Sequence, residues 1–336
     1  MEDKIILKST ELTGVLGKNE INKLSGVVEE KIWKNYRDLY EKASNLHLLD
    51  FPIQIDFELN ASCNLRCPMC PISVESPKGK GKSTWFSFDF FKEIIDYSVK
   101  NGTKAIKLNY VNEPLIRKDI ISFIKYAKLK GVVDIYLSTN GILLNNKISN
   151  ELIKSGLTRI QVSIDAFTEK TYQKVRPGGT LDKVISNLYM FLDLRKKLKS
   201  ITPLVRVNFV KTSLNEFELE KFLKFWEDKV DMIGVQEFIK PTKVKNHITS
   251  KKSVNKRKSN FKCSFPFKQV VITNEKKILP CCTFWGEELV LQELSKPEDI
   301  KKAWNSDKIK MLRDIHGRGK YYEVPQCKNC VEGGLE

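Results

Sequence analysis

Between residues 53 and 238, six strand-like runs are separated by helix-like runs, and this alternation limits the chain to very few architectures. Ile53, Ile55, Phe57 and Leu59 alternate with polar residues, the period of a strand. Phe88, Phe91, Ile94, Ile95 and Val99 then fall on one helical face, with Ser87 as the cap. Further strands are predicted over 105–111, 133–137, 159–164, 204–210 and 232–238. Helices are predicted over 120–130, stopped by Gly131, over 148–155, ended by Gly156, and over 180–198. Asn215 is placed to cap one more, with Glu218 three residues on completing a capping-box-like pair. Strand–helix units in series imply an α/β fold with a parallel sheet and outer helices. Right-handed crossovers would curl six of them into an open partial (β/α)6 TIM-like barrel, where eight would close it. Chemistry is then expected at the C-terminal ends of the strands.

That edge carries Cys63-Asn64-Leu65-Arg66-Cys67-Pro68-Met69-Cys70, three thiols at C-x3-C-x2-C spacing directly after the first strand. A structural zinc takes four ligands in a closed tetrahedron. Three thiolates suit a cubane iron–sulfur cluster with one iron left open, since a complete set is four. Buried thiols or half of a zinc site are the alternatives. Three further strand ends are polar: Asn109-Tyr110-Val111-Asn112-Glu113-Pro114, Ser138-Thr139-Asn140-Gly141 and Ser163-Ile164-Asp165-Ala166. Each alone reads as an ordinary turn. Together they gather polar groups at the edge that bears the thiols.

A second group of thiols, Cys263, Cys281, Cys282, Cys327 and Cys330, follows the barrel. Residues 269–280 read as a hairpin turning at 274–277, and 300–315 as a helix closed by Gly317. Five thiols on a hairpin, a helix and a C-x2-C tail supply a closed four-ligand site with one left over. A zinc knuckle has the same signature.

Lys and Arg number 58 against 41 Asp and Glu, a net charge of +17, mostly lysine at polar helix positions. The densest stretch, 240–262, holds nine Lys/Arg and no acid and reads as a basic linker. Residues 27–43 have a helical pattern, expected to pack on the outside of the barrel. No apolar run approaches a membrane span, and the charged N-terminus lacks the apolar stretch of a signal peptide. A cytoplasmic location is therefore expected, and metal binding rather than disulfides for eight cysteines. A basic, metal-stabilised nucleic-acid binder is the non-catalytic alternative. It leaves the polar strand ends around Cys63 to Cys70 as coincidence.

On these residues the chain resembles a radical S-adenosylmethionine (SAM) enzyme over about 51–240. The resemblance implies that Cys63, Cys67 and Cys70 hold a [4Fe–4S] cluster whose open iron chelates SAM. It assigns cofactor contacts to Asn112, Glu113, Ser138, Asn140, Ser163 and Arg176. The family commonly has Gly-Gly-Glu-Pro where this chain has Val111-Asn112-Glu113-Pro114, so the two glycines are replaced. Met69 stands where an aromatic residue is usual. Residues 263–330 are similar to the SPASM or twitch appendage, through Cys263, Pro280-Cys281-Cys282, Ala303-Trp304-Asn305-Ser306, Met311-Leu312-Arg313 and the last C-x2-C. That likeness implies one auxiliary [4Fe–4S] cluster on Cys263, Cys281, Cys327 and Cys330, with Cys282 spare and its exchange with Cys281 left open. The expected domains are an N-terminal extension (1–50), the partial barrel (51–240), the linker (241–262) and the auxiliary domain (263–336).

The resemblance further implies reductive cleavage of SAM to a 5′-deoxyadenosyl radical, supplied with electrons by a flavodoxin or ferredoxin. Net oxidation of a sugar-like or phosphorylated small molecule is expected. The runner-up is a peptide maturase, either a crosslinking enzyme or an epimerase using Cys282 as hydrogen donor.

Overall fold

A computed structural model describes residues 13–74, 85–239 and 261–332. The basic stretch at 240–260 lies outside the described residues. In chain order the elements are β1 (Thr13–Leu16), α1 (Glu30–Ser44), β2 (Gln54–Phe57), α2 (Pro71–Val74), α3 (Phe88–Lys100), β3 (Ala105–Lys107), α4 (Ile120–Leu129), β4 (Asp134–Thr139) and α5 (Asn146–Lys154). They continue with β5 (Arg159–Ser163), α6 (Glu169–Val175), α7 (Leu181–Lys197), β6 (Leu204–Lys211), α8 (Leu219–Trp226), β7 (Met232–Glu237), α9 (Phe265–Lys268), β8 (Gln269–Ile272), β9 (Lys277–Leu279), β10 (Gln292–Glu293), α10 (Asp299–Trp304), α11 (Asp307–Gly317) and α12 (Pro325–Glu332).

The ten strands of the described residues share one sheet in the order β1-β7-β6-β5-β4-β3-β2-β8-β9-β10. From β2 to β7 every strand lies parallel beside its predecessor in sequence. Strand order never reverses, so the helices collect on one face and the sheet curls into an open barrel, as expected. Ser87 Oγ caps α3 by accepting from Phe90 N at 3.3 Å. The outer face is aliphatic and aromatic: Ile55, Phe57, Ile106, Ile135, Leu137, Ile160, Val162 and Val207 pack with Phe91, Phe123, Leu188 and Phe222 of the helices. At roughly 25 cal/mol per Å2, this burial is the main force holding the layers together.

Several features depart from the sequence expectation. Helix α1 does not pack outside: Trp33 and Tyr36 meet Ala105, Val133, Leu204 and Met232, at or just before the starts of their strands, and so close the N-terminal end of the barrel. Tyr36 Oη donates to the buried Asp134 carboxylate at 2.8 Å. β1 covers the free edge of β7 in antiparallel register. The hairpin β8–β9 of the C-terminal domain also joins the barrel, because β8 pairs in parallel with β2 and prolongs its sheet. Residues 300–315 form two helices, broken at Asn305 and Ser306, where Arg313 folds back over the Trp304 ring (4.1 Å) and donates to Trp304 O at 2.9 Å. The Asn215–Glu218 capping box does not form. Glu218 instead accepts from Phe167 N, Thr168 and Thr171 at the start of α6, while Asn215 Oδ1 accepts from Thr212 N.

Candidate active site and metal centres

The loop after β2 brings Cys63, Cys67 and Cys70 to the C-terminal mouth of the barrel. Arg66 Nη1 braces it by donating to the carbonyls of Cys63 (2.7 Å) and Leu65 (2.8 Å). The Cys70 N–H donates to Cys67 O at 2.9 Å, and the N–H groups of Ile72 and Ser73 at the start of α2 point to the Cys70 sulfur. The neighbouring strand ends reach the loop too. Asn140 Nδ2 donates to Asn64 Oδ1 at 2.8 Å and lies 3.9 Å from Cys63 Sγ. Arg176 Nη1 lies 3.8 Å from Cys67 Sγ. Burial pushes all three thiols up, Cys67 to about 12 and Cys70 to about 11. Thiolate ligation there must therefore expel protons.

All six residues expected to contact a cofactor line the same cavity as these thiols. Their side chains are not equally free. The Glu113 carboxylate, only 2% exposed, accepts from Thr139 Oγ1 (2.7 Å), Asn140 N (2.7 Å) and Leu115 N (3.1 Å). It ties the loop after β3 to the end of β4 and so positions Asn140. Asn112 is likewise engaged, accepting from Tyr110 N at 2.9 Å and donating to Asn60 Oδ1 at 2.8 Å. Arg176 is ion-paired with the fully buried Asp165, whose other oxygen accepts from Val210 N at 2.8 Å. Asp165 sits at φ 61°, a left-handed conformation that Asp tolerates better than bulkier residues. Ser138 and Ser163 line the cavity directly.

Below the mouth the lumen is polar. In a buried parallel sheet both faces are normally apolar, and a closed barrel fills its centre with branched aliphatics. Here the register sets Asp56, Lys107, Tyr136 and Arg159 side by side, with Gln161 and Arg206 in the next row and Ser163 and Asn208 above. Gly234 opposes Asn208, and a Cβ there would meet Arg206 and Asn208 side-chain atoms at 2.5 Å, so the missing side chain leaves room for both. The resulting cavity has a volume of about 560 Å3 and runs from the cysteine loop down to α1. Burial raises the Asp56 carboxyl to about 6, against Lys107 and a donated bond from Gln54 Nε2 (2.7 Å). Arg159 is paired with Asp134 at 2.6 Å and stacks over Tyr136 at 4.0 Å.

The second thiol group separates cleanly. Cys263, Cys281, Cys327 and Cys330 line one apolar pocket with Trp285, Leu312 and His316, whereas Cys282 lines the barrel lumen. Three of the four act electrostatically on the fourth: burial and then the charges of Cys263, Cys281 and Cys330 drive Cys327 upward. Gly286 makes room for them, since a Cβ there would meet Cys281 Sγ at 3.0 Å. His316 Nδ1 accepts from Cys263 N at 3.2 Å, and burial lowers this histidine to about 4, so it is neutral at pH 7. Cys282 packs among Tyr110, Val271 and Leu279, and burial lifts its thiol to about 12.

Both donor sets are all-sulfur, the chemistry that iron–sulfur clusters require.

Residues 58–211 match the radical SAM superfamily, and residues 263–331 match an iron–sulfur cluster-binding domain, SPASM. Curated relatives include a probable GTP 3′,8-cyclase of Methanocaldococcus jannaschii, 33% identical over 177 residues, covering 53% of this chain and 56% of that one. The GTP 3′,8-cyclase of Thermodesulfovibrio yellowstonii is 32% identical over 171 residues, covering 50% of each chain. The chain thus spans about half the length of the curated relatives it matches. Among solved structures, Streptococcus suis SuiB bound to S-adenosylmethionine superposes with TM-score 0.62 at 16% identity, covering 89% of this chain and 76% of that one. BtrN in complex with AdoMet and 2-DOIA gives 0.52 at 18%, covering 83% and 93%. The chain belongs to the radical SAM superfamily. Within it, the C-terminal domain makes it a SPASM-bearing radical SAM enzyme, with a [4Fe–4S] cluster, S-adenosylmethionine and auxiliary iron–sulfur chemistry as its cofactors. Among the described residues no helix is long and apolar enough to cross a membrane.

The sequence reading missed the lumen: Asp56, Lys107, Tyr136, Arg159 and Arg206. Their signal was present, since polar residues at every second position of a buried parallel strand mark an inner face that lines a cavity. Arg37, Tyr40 and Lys268 also line it and left no such signal, because they arrive from elements distant in sequence.

Proposed function

We propose that the protein oxidises a small polar molecule bound in the barrel lumen, between an open cluster site at Cys63, Cys67 and Cys70 and a closed one at Cys263, Cys281, Cys327 and Cys330. The observation that carries this reading is the cavity of about 560 Å3, with charged and amide side chains of the inner strand face on its walls, the mouth thiols at one end and α1 closing the other. When loaded, the open site supplies one-electron cleavage of SAM to a 5′-deoxyadenosyl radical and methionine. The chain's own task is to hold both reactants and exclude water. Glu113 and Asn112 fix the loop after β3, Asn140 and Arg176 steady the thiol loop, and Ser138 and Ser163 offer hydroxyls to the ligands. The lumen walls then orient the substrate C–H bond. The anaerobically reconstituted protein with dithionite should release 5′-deoxyadenosine, and Cys67→Ala should abolish it. Release that persists in Cys67→Ala sinks the assignment.

A second reading is favoured by the placement of Cys282. Its sulfur faces the lumen and stands apart from the apolar pocket that the other four thiols line. A thiol there is placed to return a hydrogen atom to a substrate radical, giving epimerisation in place of net oxidation. Turnover in D2O separates the two: an epimerase places solvent deuterium on carbon and stops in Cys282→Ala, while a dehydrogenase shows neither effect. The precursor peptide SuiA, bound to Streptococcus suis SuiB in one structure of the same fold, supports a precursor peptide as the alternative substrate class.

A further inference from the structure

We infer that the floor of the lumen, where α1 closes the barrel, is a subsite for an anionic group of the substrate, a phosphate or a carboxylate. The inference rests on reading the lumen as the substrate site, and it names the chemistry at its far end.

Arg37 and Lys268 flank the same aromatic ring. The Arg37 guanidinium carbon and Lys268 Nζ each lie 5.0 Å from the centroid of Tyr40. Lys107 stands nearby, beside Asp56 in the sheet. All four side chains line the cavity. Lys268 is 3% exposed, yet among the described residues no carboxylate forms an ion pair with it, with Arg37 or with Lys107. An ammonium held out of water favours a counter-ion beside it. The Tyr40 ring supplies part of that attraction, since a cation is drawn to an aromatic face. It does not neutralise the charge. Asp56 is the acid facing these cations, and its carboxyl is bound by Gln54 and Gln269 amides and lies beside Lys107. Arg159 adds a further positive charge, already matched by Asp134. The floor therefore keeps a cationic excess that a bound anion would complete, with guanidinium and ammonium donors of the kind that recognise phosphate and carboxylate oxygens.

The geometry also sets the reach of the ligand. From the row of Asp56 and Lys107 to the strand ends at Asn140 and Ser163 is four residues, roughly 13 Å at the rise of a strand. A substrate anchored by its anionic end on the floor would present carbons about that far away to the thiol loop. Arg37 and Tyr40 belong to α1, which lies outside both matched domains. Selectivity for the charged group would thus be shared between the segment before the catalytic domain and Lys107 and Lys268 within the two matched domains.

The test uses inorganic pyrophosphate and acetate as probes on the anaerobic, cluster-loaded full chain. Pyrophosphate should raise the melting temperature and bind by calorimetry, above a chloride control of equal ionic strength. Lys268→Met and Arg37→Met should each weaken that binding about tenfold, the loss of one charge-assisted contact. Lys268→Arg should restore most of it. A purely structural clamp on Tyr40 would lower the melting temperature without probe in Lys268→Met but leave pyrophosphate affinity unchanged. Unchanged affinity in both Met variants, or a shift no larger than with chloride, overturns the inference. Stronger binding of acetate than of pyrophosphate points to a carboxylate, the reverse to a phosphate, and either supports the subsite. If the wild-type protein makes 5′-deoxyadenosine but binds neither anion, only this inference fails. If it makes none, the proposed function fails whatever it binds.

Discussion

Asp56 lets the polarity of the lumen be weighed. Its carboxyl is 1% exposed and burial raises it to about 6 from an ordinary 3.8. The sign follows directly. Below the unfolded value both states are protonated and burial costs nothing in ionisation. Above the folded value both are ionised, and the folded state alone carries a buried charge. The shift of about two units corresponds to about 3 kcal/mol lost by the native protein as pH rises from 4 through 6. Asp56→Asn removes that cost and retains an acceptor for Gln54 Nε2. With an unfolding entropy near 2.1 cal/mol/K per residue, a chain of 336 residues converts 3 kcal/mol into a melting shift of about 4 °C. The variant should therefore melt with the wild type near pH 4 and about 4 °C above it at pH 7. Anaerobic thermal scans of the two proteins, paired at each pH so that acid loss of iron cancels, read this difference. A gap that stays flat between pH 4 and 7, or has the opposite sign, refutes the placement of Asp56 in a desolvated lumen.

Glu113→Gln turns an amide N–H toward the Asn140 N–H and loses one charge-assisted bond, about 2 kcal/mol. A melting temperature lower by a few degrees, together with weaker SAM binding in equilibrium dialysis, is expected; retention of both would show that Glu113 does not position Asn140. Tyr36→Phe deletes the bond from α1 to Asp134 and should cost about 1.5–3 kcal/mol. Hydrogen exchange should then speed up in α1 more than in β4, and equal protection in both would contradict the bond as α1's main tie. Cys281→Ala should reduce iron from roughly eight to four per chain, two cubanes to one, while Cys282→Ala keeps all of it. The opposite pattern would exchange the two roles.

The barrel was legible because its signals are local. Alternating Ile53, Ile55, Phe57 and Leu59 mark one strand, Ser87 starts a helix and Gly131 follows another, and each is read within a few residues. The thiol spacings were legible for the same reason. What escaped was settled across the chain. Nothing near Tyr36 tells that its hydroxyl meets Asp134, 98 residues away, so α1 could not be placed over the barrel's floor. The break at Asn305 depends on Arg313 choosing Trp304 O, and the failed capping box on Glu218 being drawn to Thr168 and Thr171. Glu113 is the instructive case at the site. The sequence places it among the expected cofactor contacts, while the bonds its carboxylate accepts from Thr139 Oγ1 and Asn140 N join strand ends that no local pattern links.

The parallel pairing of β2 with β8 has a consequence for how such a protein can change. The thiol loop leaves one of these strands, and the hairpin that carries Cys281 begins with the other. The span between the two sulfur groups is therefore not a tether that can be paid out or reeled in. It is an integer, counted in residues of register. A slip of one residue would turn Gln269 from the lumen to the helices, so the allowed step is two, about 7 Å. A lineage adapting this scaffold to a longer or shorter substrate cannot tune that gap smoothly. It must jump between discrete settings, or leave the ruler alone and rebuild the floor.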